Sequence, residues 1–103
     1  MRAYRITALQ VLRHGVVRLT FDDGLAGELD LRSYVESGPH FAPLRDEAYF
    51  RTAQVAADGR SFGWRLDRIG EEIDFGADAA RADIETALVQ ARAERYRRRQ
   101  AAE

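Results

Sequence analysis

Between Val16 and Leu31 the chain reads VVRLTFDDGLAGELDL, and no other stretch restricts the fold as tightly. Val17, Leu19 and Phe21 alternate with Arg18 and Thr20, the period-2 pattern of a half-buried strand. Asp22-Asp23-Gly24 follows, and glycine accepts positive φ without a Cβ penalty. A two-residue loop at Asp23-Gly24 would set Leu19 opposite Glu28 and place a charge on the apolar face. A three-residue loop, Asp22 to Gly24, instead pairs Phe21 with Leu25, Leu19 with Gly27 and Val17 with Leu29. It also sets Arg18 opposite Glu28, a favourable cross-strand charge pair on the other face. The three-residue loop is therefore expected, with Gly24 as the left-handed residue of a type I turn plus bulge. A slip of one residue would invert both faces, so the pattern fixes the register.

Upstream, Tyr4 to Leu12 reads as a first strand with a phase break near Ala8-Leu9, the mark of a bulge. A three-residue turn, Arg13-His14-Gly15, would set Val11 against Val17 and Leu9 against Leu19. The expected result is a three-stranded meander with one apolar face. Downstream, Asp30 is placed to cap a short helix, Leu31 to Ser37, with Leu31, Tyr34 and Val35 on one side. Gly38-Pro39 ends that helix, because Pro cannot continue it. The segment from His40 to Leu44 reads as extended, laying Phe41 and Leu44 over the core. Asp46 is placed to cap one more turn, Glu47 to Phe50, with Tyr49 and Phe50 inward.

Asp58-Gly59 between Gln54–Ala57 and Ser61–Arg65 is a hairpin signal, with Val55, Phe62 and Trp64 as core. Ile69, Ile73 and Phe75 form a further apolar alternation broken by Gly70, with a short last strand at Glu72–Phe75. Asp78 reads as the N-cap of a helix from Ala79 to about Arg99, with Ala80, Ile84, Ala87, Leu88 and Ala91 in a narrow stripe. Residues from Gln100 to Glu103 are expected to fray. The fold class that follows is α+β. A small, mainly antiparallel sheet, the N-terminal meander plus a second hairpin, is covered on one face by short helices and joined by a longer C-terminal helix that either completes the core or projects outward to pair. Residues 1–76 form the body, and residues 77–103 an amphipathic, arginine-rich extension of the same domain.

The 103 residues suit one domain with one modest core, and the 46% apolar fraction argues against disorder. A net charge of −1 gives no whole-chain attraction to nucleic acid or to an anionic membrane. All sixteen basic residues are arginine, read here as a compositional bias. With no cysteine, disulfides, thiolate zinc sites and cysteine nucleophiles are excluded. No long apolar run or signal-like start is present, so a cytoplasmic protein with no membrane partner is expected.

From Val16 onward the pattern resembles a known family. FDDGLAGELDL, then SGPHFAPLRDEAYF, then a strand, a turn and Trp64, is similar to the bacterial domain of unknown function family 2442. The matching positions are Asp23, Gly24, Asp30, Leu31, Gly38, Phe41, Leu44, Asp46, Phe50 and Trp64, over roughly the first two-thirds of the chain. The resemblance implies a small α+β fold and no established activity. It implies stand-alone domains, fusions to a DNA-binding helix-turn-helix, or partners of another small protein in an arrangement similar to toxin–antitoxin pairs. Such domains usually stop soon after the tryptophan. This chain adds a helix, so partner choice does not transfer.

The residues that could carry chemistry read mostly as architecture. Asp22, Asp23, Glu28 and Asp30 could be taken for a cation site, but DDGLAGELD lacks the ligand ladder of a calcium loop. Asp at a turn and at a helix cap is the expected use. His14 and His40 show no spacing for a dyad or a metal pair; a solvated side chain is the first expectation for both, a buried and hydrogen-bonded one the second. Ser33, Ser37 and Ser61 lack a nucleophile-elbow context. Arg45 could offer its guanidinium to a partner, though local pairing is the simpler role. Trp64, Phe62 and Tyr49 could stack bases, but alternate aromatics on a strand suit a core. Arg92, Arg95, Arg97, Arg98 and Arg99 could meet phosphates. Against that, Glu94 interleaves, and cations suit a helix C-terminus through the backbone dipole.

No catalytic residue, cofactor or metal is expected. The functional expectation is a non-enzymatic interaction module, the antitoxin-like partner of a small protein and able to pair with itself through the last helix. The alternative is a nucleic-acid-associated regulator using the arginine-rich end. The structural residues of the expectation are Asp23, Gly24, Asp30, Gly38 and Asp46.

Overall fold

A computed structural model describes residues 3–102. The fold is α+β, with the strands divided between two three-stranded antiparallel sheets. The first holds β1 (Ile6–Arg13), β2 (Val16–Phe21) and β3 (Ala26–Asp30); the second holds β4 (Gln54–Val55), β5 (Ser61–Trp64) and β6 (Ile73–Gly76). Between them lie α1 (Arg32–Val35), a 3-10 helix (Pro39–Arg45) and α2 (Glu47–Phe50), and the chain closes with α3 (Ala77–Ala102).

The β2–β3 hairpin has the register that its pattern demands. Val17 pairs with Leu29, Arg18 with Glu28 and Leu19 with Gly27. The Phe21 N–H donates to the Leu25 carbonyl at 2.8 Å, and Gly24 closes the loop at φ +91°. Val17, Leu19, Phe21 and Leu29 are buried together. Between β1 and β2, Leu9 faces Leu19 and Val11 faces Val17 as expected. The connection itself is tighter than the three residues foreseen: His14-Gly15 makes the turn, and the extra residue is absorbed by an irregularity between Val11 and Arg13. The first phase break falls between Ile6 and Ala8, one residue early.

Both sheets feed one core, in which Trp64, Phe50, Phe62, Leu44, Leu19 and Val17 are fully buried. The Trp64 indole N–H donates to the Phe50 carbonyl at 2.8 Å, so its single polar atom is satisfied inside the core. Gly63 lies against the backbone of β6: a Cβ there would sit 1.9 Å from the Ile73 carbonyl oxygen.

Several local expectations change. The segment from His40 to Leu44 belongs to the 3-10 helix, not to an extended run. Proline's fixed φ near −65° suits a 3-10 turn, so Pro39 starts this helix and Pro43 is tolerated inside it. Leu44 is buried and Phe41 is half-buried, as the pattern required. Ile69 is fully exposed, on the loop before β6. Tyr34 is 41% exposed, packing edge-on against Phe41 and Phe75 at the surface. The last helix starts at Ala77, two residues earlier than expected, and is continuous to Ala102 instead of fraying from Gln100; Glu103 lies outside the described residues.

Ala77, Ala80 and Ile84 of α3 enter the core. Ile84 occupies a notch made by Gly27, where a Cβ would come within 2.4 Å of the isoleucine Cγ2. From Glu85 to Ala102 no residue is buried. At 1.5 Å per residue that arm is about 27 Å long. The molecule accordingly extends over 55 × 31 × 20 Å, and its radius of gyration is 15.4 Å, against about 13 Å for a compact domain of this length.

Candidate functional site

The root of α3 is tied to the hairpin tip by Arg81. Its guanidinium donates to both carboxylate oxygens of Asp23 at 2.8 and 2.9 Å, and its Nε–H donates to Glu85 at 2.6 Å. Its carbon Cζ lies 4.2 Å from the Tyr4 ring centroid and 5.1 Å from that of Phe21. The hydrogen bonds to Asp23, then those to Glu85, push the Arg81 pKa further up against the opposing effect of burial. Asp23 also accepts the Leu25 N–H at 3.2 Å, the local turn bond expected of it. The same carboxylate thus shapes the turn and fixes the last helix.

A second latch lies beside it. Asp78 was expected as the N-cap of α3. It sits instead in the first turn, where its carboxylate accepts the Tyr4 N–H at 3.0 Å and the Arg60 guanidinium at 3.0 and 2.8 Å. The Arg60 hydrogen bonds, then the Tyr4 N–H, lower the Asp78 pKa to about 2. Arg60 also donates to the Tyr4 carbonyl.

The other expected residues resolve into local architecture. The Asp30 carboxylate accepts the Arg32 N–H at 3.0 Å and holds the Arg32 guanidinium, whose hydrogen bonds lower the Asp30 pKa. The cap position of α1 itself is Leu31, so Asp30, expected as the cap, acts from one residue upstream of it. Gly38, at φ +145°, separates α1 from the 3-10 helix. Asp46 caps α2, accepting the Ala48 N–H at 3.1 Å, a contact worth about 1 kcal/mol. Arg45 takes its local role: it donates to the carbonyls of Val35 and Gly38 at 3.0 and 3.3 Å. His14 is half-buried, with its Nε2 2.8 Å from the Leu44 carbonyl oxygen and its ring edge-on to Phe50. Trp64 and Phe62 are core, and Tyr49 packs half-buried against it.

A cleft of about 180 Å³ lies between His14, Gly15, Arg32, Val35 and Glu36. That is below the 300–1,000 Å³ common for small-molecule sites; open grooves of about 300 and 400 Å³ run along α3, one between Leu88, Val89, Arg92 and Arg95 and one between Ala82, Glu85, Thr86, Val89 and Gln90. Among the described residues, no three histidine or acidic side chains are grouped to hold a metal ion. No described helix is long and apolar enough to cross a membrane.

The chemistry left on the surface is on the arm. Leu88, Val89 and Tyr96 are 45%, 67% and 61% exposed, three of the five large apolar side chains left open among the described residues. Arg92, Arg95, Arg97, Arg98 and Arg99 are all exposed around them. Arg98 lies 3.6 Å from Glu94, one turn back. At 100° per residue, Arg92, Arg95 and Arg99 share one face, with Arg98 at its border and Arg97 behind. The arm was legible in the sequence; Arg81 was missed. Its signal was an arginine between Ala80 and Ile84 in the apolar stripe, matched by acids at a hairpin tip 58 residues away.

No protein-family model matches this chain, and neither the curated proteins nor the solved structures contain a significant match.

Proposed function

We propose that this chain is a non-enzymatic interaction module that grips a small protein partner with the projecting end of α3. The reading rests on one observation: a 26-residue helix docks only its first turns and leaves Leu88, Val89 and Tyr96 in water. Most helical stability in proteins comes from packing an apolar face, and the outer part of α3 packs none. An exposed apolar group on a helix rimmed by arginine suits helix-in-groove recognition. Affinity capture from the source organism, using the full chain and its Leu88→Asp and Tyr96→Asp variants, tests it. The expected result is one small protein retained in stoichiometric amount by the parent chain and lost with both variants. Retention of nothing, or equal retention by all three chains, removes the reading.

A second reading has its own support. Five arginines against Glu85 and Glu94 make the arm locally basic, although the whole chain is not. Phosphate contact by Arg92, Arg95 and Arg99 would make the chain a nucleic-acid-associated regulator, with affinity falling steeply as salt rises. A gel-shift series from low to high salt decides: no binding at low salt excludes it.

A further inference from the structure

The arm carries a pattern that specifies its own complement. At 100° per residue, Glu85, Leu88, Val89, Arg92 and Tyr96 fall within one arc of about 100°. Leu88 and Val89 lie at the centre of that arc's length, with Glu85 on the side of the root and Arg92 on the side of the tip. Glu85 and Arg92 are equally distant from the midpoint between Leu88 and Val89. A two-fold axis through that midpoint therefore sends Glu85 of one chain to Arg92 of a second, and Arg92 to Glu85. Leu88 of each chain meets Val89 of the other.

Resting on the reading of the arm as the contact element, we infer that its occupant is a second copy of this chain, bound antiparallel arm to arm through this face. Each pair of arms then carries two Glu85–Arg92 ion pairs around a centre of two Leu88 and two Val89 side chains. The opposite, parallel arrangement would set Arg92, Arg95 and Arg99 against their own counterparts, and like charges in register repel. Only the antiparallel one brings the arginine-rich tip to the acidic end of the arm, where Glu85 lies and where the hairpin tip holds Asp23 against Arg81. The Glu85 carboxylate is half-exposed despite its bond to Arg81, so it can accept a second cation. The contact is isologous and closes at two copies, so it predicts dimers and not filaments.

The test is a charge swap read by sedimentation equilibrium on the full chain. At about 100 µM chain the expected mass is twice 11.7 kDa. Arg92→Glu and Glu85→Arg each weaken the dimer at least about tenfold, and the two together recover the parent affinity to within about threefold. Leu88→Asp gives monomer. Melting curves and Trp64 fluorescence report the body separately. If loss of the Arg81–Glu85 contact unfolds the Glu85→Arg chain, Arg92→Glu and Leu88→Asp carry the test alone. A parent chain that is monomeric, a dimer indifferent to Arg92→Glu or Leu88→Asp, or a folded double variant that fails to recover overturns the inference. A monomeric chain that still captures a partner through Leu88 would overturn the second copy and leave the arm's role standing.

Discussion

From Ala77 to Ile84, α3 places Ala77, Ala80, Arg81 and Ile84 against the body; from Glu85 to Ala102 it buries no residue. The two parts form one continuous helix, with apolar residues at similar spacing. Their difference lies in what faces them. Ile84 meets a notch left by Gly27, and Arg81 meets the carboxylate of Asp23 between two aromatic rings. Leu88, one turn beyond Ile84, meets no such receptor and stays 45% exposed. Helical periodicity marks a side chain as able to be buried. Whether it is buried depends on the shape of a distant surface.

The sharpest way to break this contrast is a pair of truncations four residues apart. Ile84→Ala should destabilise the body by about 2–4 kcal/mol, through lost burial and a cavity beside Gly27. Leu88→Ala should change it by less than about 0.5 kcal/mol. Urea melts of dilute protein followed by Trp64 fluorescence measure both, and equal losses would erase the distinction between root and arm.

Next in size is Arg81→Ala. It strips Asp23 of two charged hydrogen bonds and uncovers the Tyr4 ring, for an expected loss of about 2–3 kcal/mol. The same change at Arg97 should leave the melting curve unmoved, and a shift comparable to that of Arg81 would show the arm packed after all.

Gly24→Val forces a β-branched residue to φ +91°, with no neighbour within 4 Å of the added Cβ. The strain alone should cost about 1–3 kcal/mol. Because Asp23 adjoins that turn, Arg81 should lose part of its anchorage as well. An unchanged melting temperature would dismiss the three-residue loop as a constraint.

The smallest effect expected is that of acid on the Asp78 latch. The folded-state pKa of Asp78 is lowered to about 2 by the Arg60 hydrogen bonds and the Tyr4 N–H. Its contribution is therefore complete above the ordinary carboxylate pKa near 4 and is lost as pH falls from about 4 to about 2. Asp78→Asn should flatten the stability profile in that window and leave the profile between pH 5 and 8 alone. A parent and a variant with superimposable acid profiles would deny the latch any role.

What could be read without coordinates follows the same division. The β2–β3 register was legible because three local demands agree: one apolar face, a glycine at the turn and opposite charges across the strands. Asp46 was legible for the same reason, its partner being two residues away. His14 takes the second of its two expected roles, half-buried against a carbonyl, because that carbonyl belongs to Leu44, 30 residues on. Asp78 was misread as a cap because its partners are Tyr4 and Arg60. Ile69 matched the alternation of Ile73 and Phe75, but Gly70 at φ +89° turns the chain between them. Errors cluster where a side chain answers to a remote part of the molecule.

The bond between Asp23 and Arg81 spans 58 residues, and that between Tyr4 and Asp78 spans 74. Closing either bond joins parts of the chain that are far apart in sequence, so each costs more chain entropy than the local β2–β3 turn. The hairpin can therefore form first, and the root of α3 is fastened to it only when distant stretches of the described chain come together.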